Sequence, residues 1–135
     1  MLISNFIKNI SLNILLLILA LIISYYTAPF FGGWYDKISP QYDFSFFNLG
    51  KESVLFIVGF PISYVFLITI LFSTFGFGRR KVWTGILLTP AVLLWLNADL
   101  RHIYIPIILI VIAWVLGLGL RKVFKIGMHR LTPGH

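Results

Sequence analysis

Four long stretches of this chain contain no charged side chain, and they constrain the fold more than any other feature. They are Ile10–Ala28, Val54–Phe75, Val82–Leu96 and Ile103–Leu120. Hydrophobic residues make up 59% of the sequence and charged residues 11%, whereas soluble domains hold about 45–50% and about 25%. A chain of 135 residues cannot hide that much apolar surface from water. We therefore expect an all-α integral membrane protein, a four-transmembrane-helix bundle with a short aromatic-rich external loop.

The lengths of the stretches fix the expected spans. A helix rises 1.5 Å per residue, so crossing a hydrocarbon core about 30 Å thick takes about 20 residues. The third stretch reaches that length only if it continues past Leu96. The predicted spans are 10–28, 54–75, 82–100 and 102–120, within one membrane domain that covers residues 1–135, with an external loop at 29–51 and a basic tail at 121–135. The first stretch ends in a poor cleavage site, so we expect a span rather than a signal peptide.

The distribution of charge predicts the orientation. Eight basic residues fall on one side of the four-span arrangement: Lys8, Arg79, Arg80, Lys81, Arg121, Lys122, Lys125 and Arg130. The other side holds Lys37, Lys51 and Arg101 with all four acids, Asp36, Asp43, Glu52 and Asp99. Basic residues are retained on the cytoplasmic face, so both termini should be cytoplasmic, in the cytoplasmic membrane of a bacterium or archaeon. Because the basic residues flank apolar stretches, the net charge of +7 indicates topology and not a nucleic-acid partner.

The external loop is rich in aromatic side chains. It includes Trp34, Tyr35, Tyr42, Phe44, Phe46 and Phe47. Trp and Tyr favour the headgroup level of a bilayer, which predicts a loop that lies along the membrane. The alternative is a docking surface for an external partner.

Small residues recur every four positions, so each set shares a helix face. The sets are Ala20, Ser24 and Ala28; Gly59 and Ser63; and Ala113 and Gly117. Small faces let helices approach closely in lipid, within one chain or between chains. Asn13 lies deeper than Asn5 and Asn9 on a common face, where it either begins the helix or bonds a neighbouring one.

Each of the last three predicted spans contains a proline: Pro61, Pro90 and Pro106. Proline removes a backbone donor and bends a helix, which suits a hinge. It is also simply common in membrane helices. After the last span, Arg121, Lys122, Lys125 and Arg130 suit an amphipathic extension that touches anionic lipid headgroups.

One corner of the sequence concentrates polar chemistry. Asn97, Asp99, Arg101 and His102 lie within six residues, and Glu52 begins the second span on the same side. Such a group suits proton transfer or ion coordination; the simpler interpretation is a solvated turn with an Asp99–Arg101 pair. The chain has no cysteine, and no two histidines have helical ligand spacing, so we expect no metal, no cofactor and no catalytic residue.

These observations favour a small non-catalytic subunit or accessory component of a membrane oligomer or complex, with self-association or other membrane subunits as partners. The first alternative is an oligomeric channel or transporter whose path is lined by Asn13, Ser63, Thr69, Ser73 and Thr74. The second is an enzyme at the outer surface that uses the polar corner. The spans hold no acid or base deep in the lipid, which argues against a proton-coupled pump.

Overall fold

The computed structural model describes residues 2–38, 50–98 and 100–131, and over these residues the chain is helical with no strand. The helices are α1 (Leu2–Ile38), α2 (Lys51–Phe75), α3 (Arg80–Ala98) and α4 (Tyr104–Leu131). A 3-10 turn at Leu100–His102 precedes α4. The all-α class expected from the sequence is thus confirmed.

Three helical segments are long and apolar enough to cross a membrane. They are Leu2–Ile38, Glu52–Phe75 and Leu100–Lys125, with mean hydropathies of 2.4, 2.5 and 2.7 in their most apolar windows. α3 has 19 residues and is not among them.

The helices run alternately up and down, and α2 is the central element. The amide of Asn13, near the start of α1, bonds the backbone of Phe77 just after α2. Further along α1, Thr27 and Ser63 share a hydrogen bond of 2.6 Å between their hydroxyl oxygens. The side chain of Arg121 on α4 donates a hydrogen bond to the carbonyl oxygen of Gly76, just after the end of α2. α1, α3 and α4 each pack on α2, and α3 and α4 make little or no contact with each other.

The seam between α1 and α2 is built from small residues. Ala20, Ser24, Ala28 and Gly32 follow one another at four-residue spacing along α1 and are all buried. A Cβ on Gly59 of α2 would lie only 2.8 Å from the carbonyl carbon of Ala28. The two backbones therefore touch, which is the main way that helices gain packing energy in lipid.

α4 approaches the other side of α2 in the same manner. Ala113 and Gly117 are buried, and a Cβ on Gly117 would lie 2.8 Å from the Cβ of Ser73. The hydroxyl of Thr74 donates to the carbonyl oxygen of Gly117 at 3.3 Å. A small residue on α4 thus faces hydroxyl side chains on α2, which allows a close crossing.

The buried side chains form two clusters along the bundle. One comprises Ala20, Val65, Ile68, Phe72, Leu88 and Ala91. The other, nearer the turn between α3 and α4, comprises Tyr35, Ile62, Trp95 and Ile105, one residue from each helix. Ile110 of α4 packs against the first cluster, so all four helices contribute to both clusters.

The structure corrects the predicted start of the external loop. α1 continues through Pro29 to Ile38, about 55 Å in all at 1.5 Å per residue. The seam explains the continuation, because Gly32 lies so close to α2 that its Cβ would be 2.6 Å from the carbonyl carbon of Leu55. Packing on α2 outweighs the one hydrogen bond lost at Pro29. The predicted loop residues Tyr42, Phe44, Phe46 and Phe47 lie outside the described residues.

The structure also corrects the expected bend at Pro106. This residue is the third of α4, where its missing N–H group would have no helical partner in any case. Pro106 therefore begins the helix without bending it. Pro61 and Pro90 do lie inside α2 and α3.

Candidate functional site

The end of the bundle that carries the basic residues, called the basic end below, is organised by the turn between α2 and α3. Asn13 is 1% exposed, and its side chain is hydrogen-bonded to this turn. Its Nδ2 donates to the carbonyl oxygen of Phe77 at 3.2 Å, and its Oδ1 accepts from the Phe77 N–H at 3.1 Å. One side chain thereby satisfies both polar groups of a residue that has left the helix.

Two arginines donate hydrogen bonds to backbone carbonyls at the C-terminal end of α2. Nη1 of Arg80 donates to the carbonyl oxygen of Ser73 at 3.2 Å, and Nη1 of Arg121 donates to that of Gly76 at 3.5 Å. Carbonyls at a helix C-terminus lack helical partners and carry partial negative charge, so cations are favourable there. Two other residues predicted to contact lipid headgroups, Lys122 and Lys125, are exposed. The side chain of Arg130 is not among the side chains that the structure describes.

A cleft of about 390 Å³ opens near the basic end, between α3 and α4, with α2 as its floor. Its polar part comprises Thr69, Ser73, Arg80, Lys81 and Thr84. Its apolar part comprises Gly85, Leu88, Ile110, Trp114 and Leu118. The cleft exists because α3 and α4 both pack on α2 and diverge from each other.

The hydroxyls in this cleft donate to their own helices. Thr69 bonds the carbonyl oxygen of Val65 at 2.8 Å, and Ser73 bonds that of Thr69 at 2.6 Å. Thr84 bonds the carbonyl oxygen of Arg80 at 2.8 Å. Each hydroxyl oxygen keeps acceptor capacity, while Arg80 and Lys81 supply the cationic donors of the cleft.

The opposite end is closed by aromatic rings. Tyr35 is 1% exposed, and its ring lies 5.1 Å from that of Trp95 and 6.1 Å from that of His102, both edge-on. His102 also lies 6.0 Å from the ring of Tyr104. Tyr35, placed in an external loop by the sequence, is instead a packing residue of the bundle. Trp34, next to it, is exposed.

Of the predicted polar corner, the structure describes the surroundings of Asn97, Arg101, His102 and Glu52. The amide of Asn97 donates to the carbonyl oxygen of Leu93 on its own helix at 2.9 Å. Arg101 and Glu52 are exposed, and His102 packs on tyrosine rings. Asp99 lies outside the described residues. Within the described chain, no three His, Asp or Glu side chains converge as metal ligands would.

The outer face of α1 carries two tyrosines in an unusual place. Tyr25 is 60% and Tyr26 is 77% exposed, and together with Leu21 and Ile22 they line a shallow groove. Their rings meet edge-on at 5.6 Å, and Tyr25 also touches Phe56 of α2. No hydrogen bond to either hydroxyl is found in the described part of the chain. The sequence analysis did not single out this pair; its signal is two adjacent phenols within the first uncharged stretch, Ile10–Ala28.

Comparison with protein-family models, with curated proteins and with solved structures gave no match.

Proposed function

We propose that this protein is a non-catalytic membrane subunit, inserted as four transmembrane helices with both termini cytoplasmic, that assembles through the outer face of α1. The observation that carries the proposal is the pair of exposed tyrosines, Tyr25 and Tyr26, near the middle of the length that α1 shares with α2.

The positions of the end of α2 and the start of α4 support a fourth crossing. α2 ends at the basic end, beside Asn13 and Arg121. α4 starts at the opposite end, where His102 and Tyr104 meet beside Tyr35. α3 connects the two, and its 19 residues extend about 28 Å, close to the thickness of the hydrocarbon core. With the basic end cytoplasmic by the positive-inside rule, both termini lie in the cytoplasm.

At their depth in the bilayer, the hydroxyls of the two tyrosines are energetically unfavourable unless each has a hydrogen-bond partner. α1 and α2 run side by side from Asn13 to Gly32, so Tyr25 and Tyr26 lie about 5 Å from the middle of the shared length. Side chains on a helix lean towards its N-terminus, which here directs the phenols towards the middle of the bilayer. A hydroxyl without a hydrogen bond in hydrocarbon costs about 2 kcal/mol or more.

A second copy of the chain relieves that cost. A phenol both donates and accepts a hydrogen bond, so a surface that displays two phenols is complementary to itself. A two-fold axis along the membrane normal would place the same residues of two α1 helices at the same depth. α1 contacts chiefly α2 within the chain, which leaves this face open.

The test compares the double variant Tyr25→Phe, Tyr26→Phe with the wild type, by mass in mild detergent and by energy transfer between labelled chains in liposomes. We expect a wild-type dimer, and dimerisation weakened at least about tenfold in the variant, since an interhelical hydrogen bond in lipid contributes about 1–2 kcal/mol. Tyr104→Phe is the matched control, because Tyr104 is 48% exposed at the bundle end. A monomeric wild type in both media would refute the proposal.

The described contacts favour assembly over the alternatives. The side chains that would line a transport path, namely Asn13, Ser63, Thr69, Ser73 and Thr74, are buried and hydrogen-bonded within one chain. An enzyme would need its polar groups gathered around a substrate, whereas Asn97 and His102 are engaged by their own surroundings.

A further inference from the structure

We propose that the cleft between α3 and α4 is a binding site for an anionic phospholipid of the leaflet at the basic end. Its phosphate would lie at Arg80 and Lys81, and an acyl chain would lie along Leu88, Ile110 and Trp114. The proposal relies on membrane insertion, and it is independent of dimerisation through α1.

The cleft combines the two chemistries that a phospholipid presents. One end is cationic and hydroxyl-rich, and the other is apolar, as the lining residues show. The cleft has a volume of about 390 Å³, and Trp114 and Leu118 in its wall are exposed, so a lipid can reach it from the side without unfolding of the protein. Basic pockets between transmembrane helices at a cytoplasmic face suit anionic headgroups.

Arg80 is held in position for this role. One guanidinium nitrogen donates to the Ser73 carbonyl oxygen at 3.2 Å, which fixes the side chain at the floor of the cleft. A guanidinium has five N–H donors in a planar fork, so the others remain for a phosphate, whose geometry that fork matches. Lys81 is exposed beside it and adds a second positive charge.

The position of the cleft separates it from the dimerisation surface. The residues that line it belong to α2, α3 and α4, whereas the tyrosine groove belongs to α1. α2 lies between the two surfaces. A lipid in the cleft and a second chain on α1 therefore do not compete.

Gly85 provides a direct steric test. It lines the cleft, and a Cβ built on it would meet nothing within 4 Å. Gly85→Leu should fill the cleft without displacing protein atoms. Gly119→Leu is the matched control, because Gly119 is also exposed and open but does not line the cleft.

The measurement is native mass spectrometry of detergent-solubilised protein titrated with phosphatidylglycerol or phosphatidylcholine. We expect one tightly retained phosphatidylglycerol per wild-type chain, loss of this lipid in Gly85→Leu, and retention in Gly119→Leu. Lys81→Gln should weaken binding about fivefold, the effect of one basic residue near an anionic surface. Lys125→Gln should leave it unchanged, because Lys125 does not line the cleft.

Three results would overturn the proposal. The first is equal retention of the anionic and the zwitterionic lipid by the wild type. The second is full retention by Gly85→Leu. The third is a dimer lost in Gly85→Leu yet kept in the Tyr25→Phe, Tyr26→Phe variant, which would place a second protein chain in the cleft.

Discussion

At the scale of single residues, Asn13 differs from Asn5 and Asn9, which precede it on the same face of α1. Asn5 is exposed and Asn9 is partly buried, whereas Asn13 is buried and pairs with both backbone groups of Phe77. The sequence pattern left two roles open for Asn13, the start of a helix or a bond to a neighbouring one. The structure shows neither role: Asn13 lies inside α1 and bonds the α2–α3 turn.

Asn13→Leu should lower the free energy of unfolding by about 1–2 kcal/mol, because it removes two part-buried hydrogen bonds to the backbone of Phe77. Reversible unfolding in mixed micelles measures the effect. Asn5→Leu, at an exposed position of the same helix, should change stability by less than about 0.5 kcal/mol. Equal effects of the two substitutions would show that the hydrogen bonds to Phe77 contribute nothing.

At the scale of elements, the α1–α2 seam shows what four-residue spacing predicts and what it leaves out. Ala20, Ser24 and Ala28, singled out from the sequence, are buried along α1. Gly32 continues the same spacing and is buried too, yet it fell within the predicted external loop at 29–51, which began at Pro29. Proline weighs heavily in a local prediction, but the contact of Gly32 with Leu55 depends on a helix distant in sequence.

Gly32 and Gly33 form a matched pair for testing this seam. Gly32→Val places side-chain atoms against the backbone of Leu55, whereas a Cβ on Gly33 meets nothing within 4 Å. We expect Gly32→Val to destabilise the protein by about 3 kcal/mol or more, because backbone cannot yield as a flexible side chain does. Gly33→Val should be within about 1 kcal/mol of wild type. Thermal unfolding in detergent distinguishes them, and similar melting temperatures would argue against a close crossing.

At the scale of the whole molecule, the basic residues identify one end of the bundle. Lys8, Arg79 and Arg121 come from three separate parts of the sequence, and α1, the α2–α3 turn and α4 bring these parts to the same end. The proposed four crossings would place all three of these residues on one side of the membrane.

The absence of cysteine from the 135-residue sequence allows a direct topology test. Single variants Ser4→Cys, Arg101→Cys and Lys125→Cys, all at exposed positions, are labelled with a membrane-impermeant maleimide in intact cells and in inverted vesicles. We expect Ser4→Cys and Lys125→Cys to react only in inverted vesicles and Arg101→Cys only in intact cells. Reaction of Ser4→Cys and Lys125→Cys from opposite sides would exclude four crossings.

The helical class, the positions of the apolar segments and the small faces that pack them were predictable from the sequence, because each depends on local composition and helical spacing. The tertiary structure decided the rest. It extended α1 through Pro29, buried Tyr35 against Trp95 and left Asn97 bonded to its own helix. It also made α2 the centre of the bundle and opened the cleft between α3 and α4. These features depend on which faces of distant helices meet, and backbone contacts such as Gly59 against Ala28 determine that choice.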